Sequence, residues 1–275
     1  MRTLGRPVQY LALAAYLVFL AFPLLWLLSS ALKPAAELAI GNTGLLPANP
    51  TLGNFAAAVE RADLGTAAWN SARVAAGATL AVLLMALPAA YALARFRTRL
   101  KFVANGWVLI SQVFPVILVV LPLFLILRQF RLTDSLWGLT LVHAVYALPF
   151  ALWMLQGYIA AIPRDIEEAG AIDGAGRARI LADIVAPLLV PGLVATAMFT
   201  LISSWNEFFF ALVLIQDPDK VTLPLALSRF VSSEGQVQLG ALAAGALLAT
   251  VPSLLFFAAV QRRLTSGLIS GAVKG

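Results

Sequence analysis

Glu168-Ala169-Gly170-Ala171-Ile172-Asp173-Gly174, followed after nine residues by Ile184-Val185-Ala186-Pro187, concentrates charge and glycine between two long apolar runs. Just upstream, Pro163 suits the first position of a helix, where a missing N–H costs nothing. Asp165, Glu167 and Glu168 then fall in the first turns, where negative charge complements the helix dipole. Ala169, Gly170 and Ala171 present almost no side chain, so a partner can approach the backbone closely. Gly174 is placed to end this helix in a left-handed conformation. A second helix over 177–184 then leads to Pro187. The expected product is a helix, a glycine turn and another helix, rigid enough to transmit force and polar enough to dock something in water.

The surroundings of this stretch are those of a membrane protein. Hydrophobic residues make up 61% of the 275 and charged ones 12%, with a mean hydropathy of +0.91. Soluble domains carry about a quarter charged residues. One membrane domain with short loops accounts for the length. Without cysteine there are no disulfides, no thiolate metal sites and no cysteine nucleophile. The net charge of +6 does not point to nucleic acid, because the basic residues sit at the ends of apolar runs rather than along one face.

Six apolar segments are long enough for the ~20 residues that cross a bilayer. They are expected at approximately 8–32, 67–94, 102–127, 135–160, 186–213 and 237–261. The first is too long for a cleaved signal and is read as a retained span. Residues 38–59 are also uncharged, but they hold Gly41, Asn42, Gly44, Pro47, Asn49, Pro50, Gly53 and Asn54. Such a segment cannot satisfy its own backbone in lipid. It is expected as an external loop with a short helix near 55–59. Six spans put both termini on one side. With the N-terminus inside, twelve of the nineteen Lys and Arg face the cytoplasm, including the cluster Arg95, Arg97, Arg99 and Lys101. The 163–183 loop and the tail 262–275 are then cytoplasmic. Trp26, Trp69, Trp107, Trp137 and Trp153 fit interfacial positions in this layout.

Prolines 23, 88, 115, 122, 149, 191 and 252 fall inside the apolar runs and are expected to bend them. Glu207 is an acid inside an apolar stretch, a functional hypothesis by default. With Trp205 and Asn206 it is assigned either to a translocation path or to a subunit interface. His143 reads as a packed polar residue rather than a proton relay. One His and scattered carboxylates give no metal cluster, no cofactor site and no catalytic constellation. Gly174-x-Gly176 lacks a preceding strand, and Arg179 holds the third glycine position, which excludes a dinucleotide fingerprint.

The 168–187 stretch resembles the Glu-Ala-Ala loop of bacterial ABC importer permeases, which reads Glu-Ala-Ala, three residues, Gly, nine residues, Ile-x-Leu-Pro. Gly170 replaces the second Ala of that pattern, and Ala186 replaces the Leu. Trp205-Asn206-Glu207-Phe208, Asn70-Ser71 and the ending 267–275 resemble the smaller permease subunit of maltose-type carbohydrate importers. The resemblance implies an all-α fold of six transmembrane helices, the type I importer permease bundle. It implies ATPase-coupling residues Glu168, Ala169, Gly170, Asp173, Gly174 and Pro187, and a tail contact to the ATPase through Gly271, Lys274 and Gly275. The implied partners are a homologous second permease subunit, a cytoplasmic ATPase dimer, an extracytoplasmic sugar-binding protein, the lipid bilayer and a sugar. No Gly-x-x-x-x-Gly-Lys-Ser/Thr loop is present, so ATP hydrolysis would fall to the separate subunit. The implied location is a bacterial or archaeal cytoplasmic membrane. A permease for another solute such as glycerol phosphate would share the loop. A secondary transporter or channel would be expected to show paired intramembrane charges or inverted repeats.

Overall fold

The computed structural model describes residues 5–41, 44–96, 99–231 and 237–272. Among them the chain is all-α, with fourteen α-helices: α1 Arg6–Leu32, α2 Ala35–Ala39, α3 Gly53–Arg61, α4 Leu64–Arg95, α5 Arg99–Val113, α6 Val116–Gln129, α7 Leu136–Ala160, α8 Arg164–Ile172, α9 Arg177–Arg179, α10 Ala186–Leu188, α11 Val190–Trp205, α12 Phe209–Leu214, α13 Leu223–Ser228 and α14 Leu239–Ala272. Four stretches are long and apolar enough to cross a membrane unbroken: Pro7–Leu32, Leu64–Arg95, Leu136–Ala160 and Leu239–Ala259. Two bent pairs, Lys101–Ser111 with Val116–Gln129 and Arg177–Leu188 with Val190–Trp205, bring the number to six if each pair is one span.

The bends differ from the continuous third and fifth spans expected over 102–127 and 186–213, and each has a local cause. Between α5 and α6 the chain turns by 108°. Pro115 caps α6 with extended backbone and offers no N–H to α5. Before α11 the turn is 79°. Pro187 cannot donate to the carbonyl of Asp183, and residues Ile180–Val185 widen into π-helical turns just before it. Pro191 in the first turn of α11 removes another donor. The expected fifth span is broken again after Trp205, where the Glu207 carboxylate accepts the amides of Phe210 (2.9 Å to Oε1) and Ala211 (3.4 Å to Oε2). Those amides would otherwise have continued α11, so a new short helix, α12, begins instead.

The described chain gathers into two compact units, Met1–Gly65 with Ala226–Val251, and Thr66–Leu225 with Pro252–Gly275. In the first, Asn54 Nδ2 staples the end of α1 by donating to Ala31 O (2.9 Å) and Lys33 O (2.7 Å). The Glu37 carboxylate accepts the Ala48 amide at 3.2 Å. The Thr51 N–H donates to Leu32 O at 2.8 Å, and the helix expected near 55–59 is present as α3. The apolar length of α1 is exposed from Tyr10 to Leu28.

The second unit has an apolar core of small residues on one face of α4 (Ala78, Val82, Ala86, Ala90) against Ala144, Ala151, Leu155 and Ile159 of α7, closed by Ile180, Val185 and Leu189. Small side chains let helix backbones approach closely, which is how membrane helices gain packing contact. Away from this core, Asn70 Nδ2 donates to Asp219 O (2.8 Å) and Val221 O (2.9 Å), and Ser71 Oγ accepts the Leu223 amide at 2.8 Å. The Asn70-Ser71 pair therefore pins the short connection between Asp219 and Leu223 to α4.

Candidate functional site

The polar loop folds as its chemistry demands. Pro163 is the N-cap of α8 rather than its first residue, with Asp165 and Glu167 in the first turn. Gly174 has φ +83°, the left-handed conformation expected of it. Its N–H donates to Ala171 O at 3.1 Å, and the Ala175 N–H donates to Gly170 O at 3.0 Å. That pair of bonds is a Schellman motif, which satisfies carbonyls that the end of α8 would leave open. The chain then continues through α9 and the π turns to α10.

The site residues of the loop divide into two groups. Glu168, Ala169, Asp173, Gly174 and Pro187 are exposed. Gly170 is buried instead of open to a partner. A Cβ there would stand 2.4 Å from Ile184 Cδ1, so the position closes α8 onto the returning helix. Ile172 is 87% exposed beside Asp173, an apolar knob on an otherwise polar turn.

Glu167 points the other way, and the sequence reading gave it only the part of an acid near the helix N-terminus. The Tyr91 hydroxyl donates to its Oε2 at 2.8 Å, and Arg95 Nε donates to its Oε1 at 2.6 Å. Arg95 Nη2 also donates to Ile162 O at 2.9 Å. The two charged side chains are 8% and 12% exposed. Arg177 stacks over Phe96 at 4.6 Å. These groups, with Arg164 and Glu168, line a pocket of about 330 Å³. Only a basic residue ending a span and an acid in the first turn of the loop could have signalled the pair, and their separation of 72 residues hides it.

At the other end of α11, Trp205 is buried, Asn206 is exposed and donates to Ile202 O at 2.9 Å, and Glu207 is half-buried. His143 Nδ1 lies 2.6 Å from Ser204 Oγ, and its Nε2 lies 3.3 Å from Glu207 Oε2. His143 is therefore a packed polar residue bonded to Ser204 of α11, and the Glu207 carboxylate, which accepts the first amides of α12, approaches the ring without a hydrogen bond to it. Gly271 lies within α14, which runs on as helix to Ala272 where a tail was expected from residue 262. Lys274 and Gly275 lie outside the described residues. A groove of about 770 Å³ opens elsewhere, between α5 and α7, lined in part by Asn105, Val108, Trp153, Gln156 and Tyr158.

The loop before α7 and the loop after α12 are held together by charge. Asp134, in left-handed backbone at φ +53°, accepts the amides of Gln216 (3.0 Å) and Asp217 (2.9 Å), while Lys220 bridges Asp217 at 2.9 Å and Asp134 at 3.5 Å. The Asp217 and then the Gln216 amide hold the Asp134 carboxyl below its ordinary range, and the hydrogen bond that Lys220 donates to the Asp217 carboxylate lifts Lys220 above its own. A depressed carboxylate contributes above its ordinary pKa and stops contributing as pH falls through the depressed one. A raised lysine contributes below its ordinary pKa until pH rises through the raised one. Protection of the Gln216 and Asp217 amides is thus expected to hold from mildly acidic to mildly alkaline pH. Asp134→Asn should speed their hydrogen exchange several-fold at neutral pH; unchanged exchange would show that the carboxylate contributes nothing.

Four to six apolar segments of membrane-crossing length, with a polar helix–glycine–helix element between two of them, are those of a multi-pass membrane protein. Residues 83–269 match the family described as binding-protein-dependent transport system inner membrane component. The chain belongs to that family. It is 36% identical over 275 residues to the trehalose transport system permease protein SugB of Mycobacterium tuberculosis, covering 98% of this chain and 99% of that one. It is 34% identical over 273 residues to the diacetylchitobiose uptake system permease protein DasC of Streptomyces coelicolor, covering 98% of each. Its fold matches a chain in the crystal structure of a bacterial ABC transporter involved in import of the acidic polysaccharide alginate, with a TM-score of 0.78 at 21% identity over 95% of this chain and 99% of that one. It is thus a multi-pass permease component of an ABC transporter.

Proposed function

We propose that this chain forms half of the translocation pathway of an ATP-driven importer for a sugar, and that residues 163–183 couple it to a separate ATPase. The observation that carries the coupling role is the exposed edge of α8 and its turn: Glu168, Ala169, Ile172, Asp173 and Gly174 stand free on a helix whose far side is locked by Gly170 and Glu167. Such an element offers a partner an acid, a small-residue face and an apolar knob, and it moves as one piece. The sugar class is supported by relatives named for two different disaccharides. The second permease, the ATPase dimer and a binding protein complete the machine, with both termini and the coupling loop in the cytoplasm of a bacterial or archaeal cell. Trp205, Asn206 and Glu207 lie along the pathway or its subunit interface, and the end of the chain, at Gly271, Lys274 and Gly275, meets the ATPase.

The test is reconstitution in liposomes with radiolabelled trehalose and diacetylchitobiose. Uptake is expected only with the partner permease, the ATPase, the binding protein and ATP together. Uptake by this chain alone, or ATP-driven uptake restricted to glycerol phosphate, would overturn the reading. Orientation is tested separately. The chain has no native cysteine, so an impermeant thiol reagent on intact spheroplasts should label Gln216→Cys and spare Asp173→Cys; the reverse pattern would invert the topology.

A further inference from the structure

We propose that Glu167 and Arg95 form the link that carries movement of the coupling loop into the membrane helix α4. The inference rests on the coupling role given to that loop above. Glu167 and Glu168 are neighbours on α8, so they point about 100° apart at 3.6 residues per turn. Glu168 faces out; Glu167 faces the last turns of α4. Both Glu167 oxygens are engaged from α4, one by the Tyr91 hydroxyl and one by Arg95. Arg95 also grips the carbonyl of Ile162, just before Pro163, so α4 holds both the helix and the strand of chain that enters it. A buried ion pair is weak evidence of stability, because desolvation offsets its attraction, but it constrains geometry.

Beside this pair, Ala90 and Tyr91 share an apolar cluster with Ile180, and Arg177 stacks over Phe96 just past the end of α4. Apolar contacts are non-directional and let surfaces slide. The hydrogen-bonded pair is directional and nearly dry, so displacement of α8 must either move α4 or break it. Glu167 is thus a positioning residue: it does not meet the ATPase, and its work is to keep the docked loop in register with the span.

The experiment uses the whole complex, purified from cells that co-express its subunits. ATP hydrolysis is measured with and without binding protein, in the presence of trehalose and diacetylchitobiose, alongside the amount of ATPase that copurifies. Glu167→Gln and Arg95→Lys are expected to keep the ATPase bound and to lower binding-protein stimulation on the order of tenfold, within the range of ordinary allosteric coupling. Tyr91→Phe should lower it less. The exchange Glu167→Arg with Arg95→Glu should recover most of the stimulation. Wild-type stimulation in Glu167→Gln would overturn the inference. So would joint loss of stimulation and copurification that the exchange fails to restore, since the pair would then belong to the docking surface or to the fold. Absence of the ATPase from the wild-type complex would instead defeat the functional reading beneath it.

Discussion

Gly138→Ala is expected to leave little folded protein in the membrane. Gly138 sits in the first turn of α7, and a Cβ there would stand 2.0 Å from the carbonyl oxygen of Leu132. No rotamer can relieve that contact, because the obstacle is backbone. The Leu132 carbonyl belongs to a tight reversal in which Leu132 N–H donates to Leu127 O at 2.9 Å and Arg131 and Asp134 both hold positive φ. Moving it would disturb the seat of Asp134 as well. Overpacking commonly costs about 1–3 kcal/mol and more where the neighbour cannot yield; the upper part of that range is the expectation here. The measurement is the yield and thermal stability of the variant in detergent beside Gly157→Ala, a helical glycine with nothing within 4 Å. Equal behaviour of the two would refute the packing argument.

Gly174→Leu is expected to abolish transport while the chain still inserts and folds. The site has open space around it, so the side chain meets no clash. Its φ of +83° costs a non-glycine residue roughly 1–2 kcal/mol, too little to unfold the protein. On the proposed coupling role the damage falls on docking, because the isobutyl group would stand where the ATPase approaches the backbone. Glu168→Ala should act through a different term. On the proposed coupling role it would delete a charge-assisted hydrogen bond to the ATPase, of the kind worth about 1.5–3 kcal/mol, and weaken assembly without blocking it. Gly174→Ala separates strain from bulk and should retain most assembly. ATPase copurification, at matched membrane levels of each variant, ranks the three. Full assembly in both Gly174→Leu and Glu168→Ala would reduce the loop to a connecting hairpin.

What could be read without coordinates was whatever depends on neighbours in the chain. The apolar runs mark the spans. The acids after Pro163 and the glycine at 174 mark a short helix and its end, since capping is a matter of a few consecutive residues. The prolines announced bends but not their size: Pro115 produces a right-angle corner, whereas Pro23, Pro88 and Pro149 lie inside helices that continue. That difference depends on what packs beside each freed carbonyl. Pairings across long separations stayed hidden for the same reason. Nothing local in Asn70 points to the Asp219 and Val221 carbonyls, and nothing in Glu167 points to Arg95. Glu207 shows the limit most plainly. Its sequence context, an acid in an apolar stretch, drew attention to the right residue, while its bonds to the α12 amides and its approach to His143 required the fold.

The π-helical turns before Pro187 bear on how this loop should be aligned with others. In a regular helix, residues five apart lie about 140° away from each other around the axis. Ile180 and Val185 are five apart, yet both are buried in the same cluster. The widened turns take in one extra residue and return the chain to its starting phase, much as a leap day realigns a calendar. The nine residues between Gly174 and Ile184 are therefore a count of angle as much as of length. A sequence one residue shorter here could present the same face to the core through plain α-helix, and a gap at this point need not mean a different loop.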